Sequence, residues 1–194
     1  MAELWLACAR ELEVTEAVLA RLPAKRAARV RAIRHPRTQR AMLAAGLLLC
    51  RVLGPRAEAI QYTEEGKPYL RGGPQFSLAH GGDYAVLLMA EDACGVDVEP
   101  IDRARPGVAR AFADGERTAA ASAAGFAKLW TRKEAIAKAM GLGLSRALLA
   151  VDVRADTPVW HFDSRRVDDH MISSACAPEE TIQLRKLDLR REID

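Results

Sequence analysis

The chain has 194 residues, 49% hydrophobic and 28% charged, with a formal net charge of +3. These totals exclude a disordered chain and allow one substantial core or two small packed lobes. So mild a net charge does not imply nucleic acid, no apolar run is long enough to span a bilayer, and Glu3, Arg10 and Glu11 interrupt any signal-peptide core.

From the amino terminus, Leu4 to Ala9 is short and apolar, a candidate first strand, and Leu12 to Leu22 reads as helix or loop. Pro23 suits the first turn of a helix, and Ala27, Val30 and Ile33 recur at helical spacing, with Arg26, Arg29 and Arg37 on another face. Pro36 ends or kinks that helix. Arg37 to Leu53 is the strongest helical pattern. Met42, Leu43, Leu47, Leu48, Leu49, Val52 and Leu53 make it apolar on most sides, so it should be buried up to the Gly54-Pro55 stop. No acidic residue occurs between Arg21 and Arg56, whereas Arg21, Lys25, Arg26, Arg29, Arg31, Arg34, Arg37, Arg40, Arg51 and Arg56 all fall there. Such a stretch is either a solvated face or a patch for phosphates or an acidic partner. Aromatic stacking residues are absent from it, which argues against a nucleic-acid binder.

Strand-like pieces follow: Ala59 to Thr63, a turn at Glu64 to Pro68, Tyr69-Leu70, then Gln75 to His80 and the strongly apolar Asp83 to Ala90. Cys94-Gly-Val-Asp-Val-Glu-Pro100 alternates with period two, placing Asp97 and Glu99 on one side roughly 6–7 Å apart. Two carboxylates so placed either belong to an edge strand with a solvated acidic face or seat a cation. Mg²⁺ needs only one or two protein carboxylates. Beyond Pro106, Val108 to Phe112 reads as a short helix, and Asp114-Gly-Glu116 starts another. Phe126 to Met140 is the second strong helix, with a stripe of Trp130, Glu134 and Lys138 at i, i+4 and i+8, ending at Gly141-Leu-Gly143. Leu148 to Arg154, Val159 to Asp163, Asp169 to Ala177 and Thr181 to Leu187 read as strands. Helix, glycine stop and strands thus occur twice, Asp83 to Ala90 answering Asp169 to Ala177. This suggests an α+β fold of two similar lobes, 1–103 and 104–194, with a ligand cleft between them. Cys8, Cys50, Cys94 and Cys176 form no CxxC, and three of them lie in apolar runs, which fits a reducing cytoplasm.

The strings Phe76-Ser-Leu-Ala-His80, Gly95-Val-Asp-Val-Glu99 and Trp130-Thr-Arg-Lys-Glu-Ala-Ile-Ala-Lys138, in this order and followed by Gly141 to Ser145, resemble those of the 4'-phosphopantetheinyl transferases of the surfactin-synthetase-activating (Sfp) type. The resemblance covers about Arg37 to Ser145. It implies two lobes, each a long helix on a small antiparallel sheet, related by a pseudo-two-fold. It also implies a cytoplasmic monomer that transfers the phosphopantetheine arm of coenzyme A to a serine of an apo acyl or peptidyl carrier protein, with Mg²⁺ as cofactor. Adenosine 3',5'-bisphosphate would be released. Neither a nucleic acid nor a membrane would be a partner.

By the same resemblance, Asp97, Glu99 and Glu116 would hold the metal, and Glu134 would take the proton from the carrier serine. Lys138 would stabilise charge on the pyrophosphate. His80 would act beside them and, with Lys133, contact the coenzyme A phosphates. Arg40 would lie near the nucleotide, Lys67 along the adenine, and Lys25 is a loose match to a 3'-phosphate contact. The sequence departs from the family at Ala79, Gly81 and Leu142, where Ser, Ser and Lys are common. At Ala79 only backbone is left to bind phosphate. The competing reading is a coenzyme A or carrier-protein binding module without catalysis. His161 and His170 match no motif and read as structural.

Overall fold

A computed structural model describes residues 1–103, 106–110 and 112–192. It is an α+β structure in which two helices of 18 residues each cover a small sheet. The first half runs β1 (Ala2–Cys8), α1 (Glu16–Leu19), α2 (Ala24–Arg31), α3 (Pro36–Leu53), β2 (Gln61–Tyr62), β3 (Pro68–Tyr69), β4 (Gln75–Gly81), β5 (Tyr84–Ala90) and β6 (Gly95–Pro100). The second runs α4 (Pro106–Ala109), α5 (Ala123–Met140), α6 (Arg146–Leu149), β7 (His161–Val167), β8 (His170–Cys176) and β9 (Ile182–Leu187).

Helix α3 starts where Pro36 takes the first helical position and His35 caps Thr38 N, and it ends at Gly54, whose φ is +57°. Its Leu43, Leu47, Leu48 and Leu49 pack with Phe76, Ala85 and Leu87 on one face of the four-stranded sheet β4-β5-β1-β9. Each such leucine contributes roughly 1.5–3 kcal/mol of burial. The opposite face of that sheet offers Leu4, Leu6, Val86 and Leu88. These cluster with Val96, Val98 and Ile172 of the three-stranded sheet β6-β8-β7. The far side of the second sheet is covered by α5, whose Phe126, Leu129 and Ile136 pack with Phe162 and Ala175. The layers therefore run helix, sheet, sheet, helix.

Strand exchange links the halves. β6, from the first half, pairs antiparallel with β8, while β9, from the second half, pairs parallel with β1. The pairing thus crosses the expected 103/104 boundary twice, and the first sheet is not wholly antiparallel. Ala104 and Arg105, at that boundary, lie outside the described residues, as does Ala111 within the short helix expected at Val108 to Phe112.

The stretch Leu148 to Arg154 is not a strand. Arg146–Leu149 is a helical turn started by Ser145, whose Oγ accepts from Leu148 N at 3.2 Å. The segment beyond it is irregular and is tied down by a side chain, as Val153 N donates to Glu116 Oε1 at 2.8 Å. Val153 is buried there without a ladder partner, whereas Val151 is exposed. The expected strand at Ala59 to Thr63 shrinks to the two-residue β2, which pairs with β3 as a short hairpin.

Candidate active site between β6 and α5

Helix α5 begins at Ser122, whose Oγ accepts from Gly125 N, and ends on Gly141 in the left-handed conformation with φ +70°. It lies directly on β6 because Gly95 has no side chain: a Cβ there would sit 1.8 Å from Ala135 O. That close approach brings the turns carrying Glu134 and Lys138 over the strand carrying Asp97.

Lys138 Nζ donates to Asp97 Oδ1 at 2.6 Å. Asp97 is only 6% exposed, so the reading of a solvated acidic face does not hold. Its Oδ2 is buried without a hydrogen-bond partner among the described residues. Glu99, two residues on and half-buried, has Oε2 4.0 Å from Arg103 Nη1. Trp130 shares a small hollow with Glu99 and Arg103 and is the outermost ring of a stack with Phe126 and Phe112.

Burial pushes the Glu134 carboxyl above its usual range. The nearby Asp97 charge pushes the same way, and Lys138 pulls back. His80, near the end of β4, is held below the ordinary histidine value by burial first and then by Lys138, Arg26 and Arg29, with Asp97 opposing. Asp97, Glu134, Lys138 and His80 thus form one electrostatic group.

Two cavities open beside it. One of about 190 Å³ is lined by Lys138, Lys67, Ser77 and Leu142. The other, of about 160 Å³, is lined by His80, Arg26, Arg29 and Tyr62. They share Gly66, Pro68 and Leu78, so the β2–β3 hairpin forms a common wall. Arg26 and Arg29 were not among the expected site residues. Their signal was the basic face spaced i, i+3 on α2, which the fold turns towards His80.

The remaining expectations fare differently. Lys67 donates to Ala139 O at 2.6 Å, capping the carboxyl end of α5 while its stem lines the first cavity. Arg40 is half-buried near the start of α3 and lines neither cavity, Lys25 is exposed, and Ala79 is buried on β4. Glu116 and Lys133 pair with each other. Both are 0% exposed, and Lys133 Nζ sits 2.7 Å from Glu116 Oε2. Lys133 also donates to Val151 O and lies 4.9 Å from the centre of the Phe112 ring. Glu116 accepts from Ala113 N and Val153 N as well. Both carboxylate oxygens of Glu116 thus have partners in this buried cluster. Among the described residues no group of three or more His, Cys, Asp or Glu side chains could hold a metal ion. Lys133, wholly enclosed, presents no surface to a coenzyme A phosphate. Lys133 adjoins Glu134 in sequence, yet neighbouring helix positions face about 100° apart. His170, expected to be structural, is buried edge-on against Tyr84 and accepts from Asp83 N.

Glu134 and Lys138 of one helix thus lie over the strand that carries Asp97, and Lys138 also lines a cavity next to the one lined by His80, Arg26 and Arg29. Residues 93–176, which carry β6, α5, β7 and β8, match the model of the 4'-phosphopantetheinyl transferase superfamily. Among curated proteins the chain is similar to the 4'-phosphopantetheinyl transferase AcpT of Salmonella typhi, 36% identical over 122 residues, covering 57% of this chain and 62% of that one. It is also similar to a putative 4'-phosphopantetheinyl transferase, slr0495, of Synechocystis, 36% identical over 55% of this chain and 50% of the relative. A third relative is the 4'-phosphopantetheinyl transferase psf-1 of Bacillus pumilus, 32% identical over 52% and 47%. The matches therefore span between about half and three-fifths of the length of these relatives.

Proposed function

We propose that the chain transfers the 4'-phosphopantetheine arm of coenzyme A to a serine of an apo acyl or peptidyl carrier protein, with Mg²⁺ as cofactor. The observation that carries this reading is the Asp97–Lys138 pair, whose charges reach Glu134 and whose lysine lines a cavity sharing Gly66, Pro68 and Leu78 with the one lined by His80, Arg26 and Arg29. The residues fit the ion: Asp97 Oδ2 is a buried acceptor lacking a donor, and Glu99 adds a second carboxylate on the same strand face. Asp97 and Glu99 would hold Mg²⁺, which when bound neutralises charge on the diphosphate.

The chain's own residues do the rest. The carboxylate of Glu134, made more basic by its burial, accepts the proton of the carrier serine hydroxyl, directly or through a water. The serine oxygen bonds to the phosphorus bearing the pantetheine arm. The P–O bond to adenosine 3',5'-bisphosphate breaks, and Lys138 stabilises the charge left on that oxygen. His80 orients the phosphates. Arg26 and Arg29 attract the remaining phosphate of the nucleotide, a role that fits the groove better than Lys25 or Lys133 does. Arg40 and Lys67 stay at the nucleotide end, Lys67 through its stem. The four cysteines are all free thiols, which suits a cytoplasmic enzyme, and the two packed lobes suit a monomer.

The test is mass spectrometry of apo carrier proteins incubated with coenzyme A and Mg²⁺. Glu134→Gln slows transfer about 10²–10⁴-fold and leaves coenzyme A affinity within a few-fold. Full-speed modification by this variant removes Glu134 from the mechanism. Tight coenzyme A binding with no transfer to any carrier in a broad panel points to the non-catalytic binding module, for which Ala79 is the supporting feature.

A further inference from the structure

We propose that Lys138 occupies the cation seat of the ligand-free protein and surrenders it only when a diphosphate arrives, so that divalent ion and nucleotide bind as a coupled pair. This rests on the reading of Asp97 as a metal ligand. The ammonium lies 2.6 Å from Asp97 Oδ1, and the carboxylate is almost wholly buried. With Glu134 close enough to Asp97 to feel its charge, an unneutralised Asp97 would destabilise the ligand-free fold. Lys138 is the side chain that answers this.

A second cation at the same carboxylate meets like-charge repulsion where water screens poorly. Yet the other oxygen of Asp97 is left buried and unpartnered, so the seat is half-used. Lys138 is also part of the wall of the 190 Å³ cavity and is one-third exposed. Its flexible four-carbon stem lets the ammonium pass from Asp97 to a phosphate oxygen in that cavity by a change of rotamer alone. The diphosphate thus supplies the anion that releases Lys138, and the released carboxylate accepts the ion. By linkage, the factor by which coenzyme A tightens the metal equals the factor by which the metal tightens coenzyme A.

The experiment is Mn²⁺ binding by the full chain, read by electron paramagnetic resonance of the free ion, with and without coenzyme A and against a protein-free coenzyme A blank. Wild type binds Mn²⁺ weakly alone. Lys138→Met binds it about tenfold or more tightly without coenzyme A, and coenzyme A enhances that variant's binding by a correspondingly smaller factor. Lys138→Arg, which keeps the charge, stays weak. Should Lys138→Met fail to fold, Lys138→Gln carries the same comparison. Asp97→Asn abolishes tight Mn²⁺ binding in every background. Equal Mn²⁺ affinity of wild type and Lys138→Met without coenzyme A, both still dependent on Asp97, overturns the coupling and leaves the metal reading standing. No Mn²⁺ binding by wild type even with coenzyme A overturns the metal reading and the coupling together.

Discussion

Asp83 is clasped by two guanidiniums. Arg37 donates to Oδ1 through Nε at 2.8 Å and to Oδ2 through Nη2 at 3.0 Å, and Arg10 reaches Oδ2 at 3.4 Å. The hydrogen bond from Arg37 leads in holding the Asp83 carboxyl below its usual value. A depressed carboxyl stabilises the fold above the unfolded-state pKa of about 3.9 and loses that contribution as pH falls through the folded value. Because Arg37 is partly exposed, Asp83→Asn costs only on the order of 1 kcal/mol at pH 7. Thermal melts across pH should show the gap between wild type and variant closing below about pH 4. The Glu116–Lys133 pair is a harsher case. Glu116→Gln strands a buried ammonium and should cost about 3–5 kcal/mol in urea unfolding. Lys133→Met should likewise act on stability and leave the coenzyme A KM little changed. At this scale, period-two spacing put Asp97 and Glu99 on one strand side and i, i+4 spacing put Glu134 and Lys138 on one helix face, while their roles came only from the family resemblance. Spacing does not reveal the partner of Lys133, which lies 17 positions away in the short 3₁₀ turn Asp114–Glu116.

Among the elements, α5 and β6 set the site, and both were legible: one from its i, i+4 stripe and glycine stop, the other from strict alternation ending at a proline. Their contact was not, since it depends on Gly95 meeting the backbone of Ala135. Gly95→Ala forces the helix off the strand and pulls Lys138 away from Asp97. The expected result is a loss of several kcal/mol in chemical denaturation, of the size known for overpacked interiors, with carrier modification falling in step. The irregular stretch after Leu149 escaped the sequence reading for the opposite reason. Of its apolar residues Val153 is fully buried, tied down through Glu116, which no local spacing encodes.

For the whole molecule, the two-lobe plan was visible as a repeated order of helix, glycine stop and strands, but the exchange of β6 and β9 between the sheets was not, because a parallel partner 180 residues distant leaves no local trace. Removing residues 178–194 strips β9 from β1 and uncovers the cluster to which Ile182 and Leu184 contribute. Such a truncation should lower the urea midpoint sharply and raise light scattering, since β1 becomes a bare sheet edge. A chain with intact melting after this deletion would show that β9 is dispensable. Arg185 stacks 5.5 Å from the centre of the Trp5 ring and pairs with Glu3, so the last strand also fastens the first. This has a consequence for biosynthesis. As the polypeptide leaves the ribosome, β1 meets β5 midway, but its other neighbour, β9, lies 180 residues behind it. The nascent chain therefore carries an unfinished border on β1 until β9 is made, and closure of the first sheet waits for that strand.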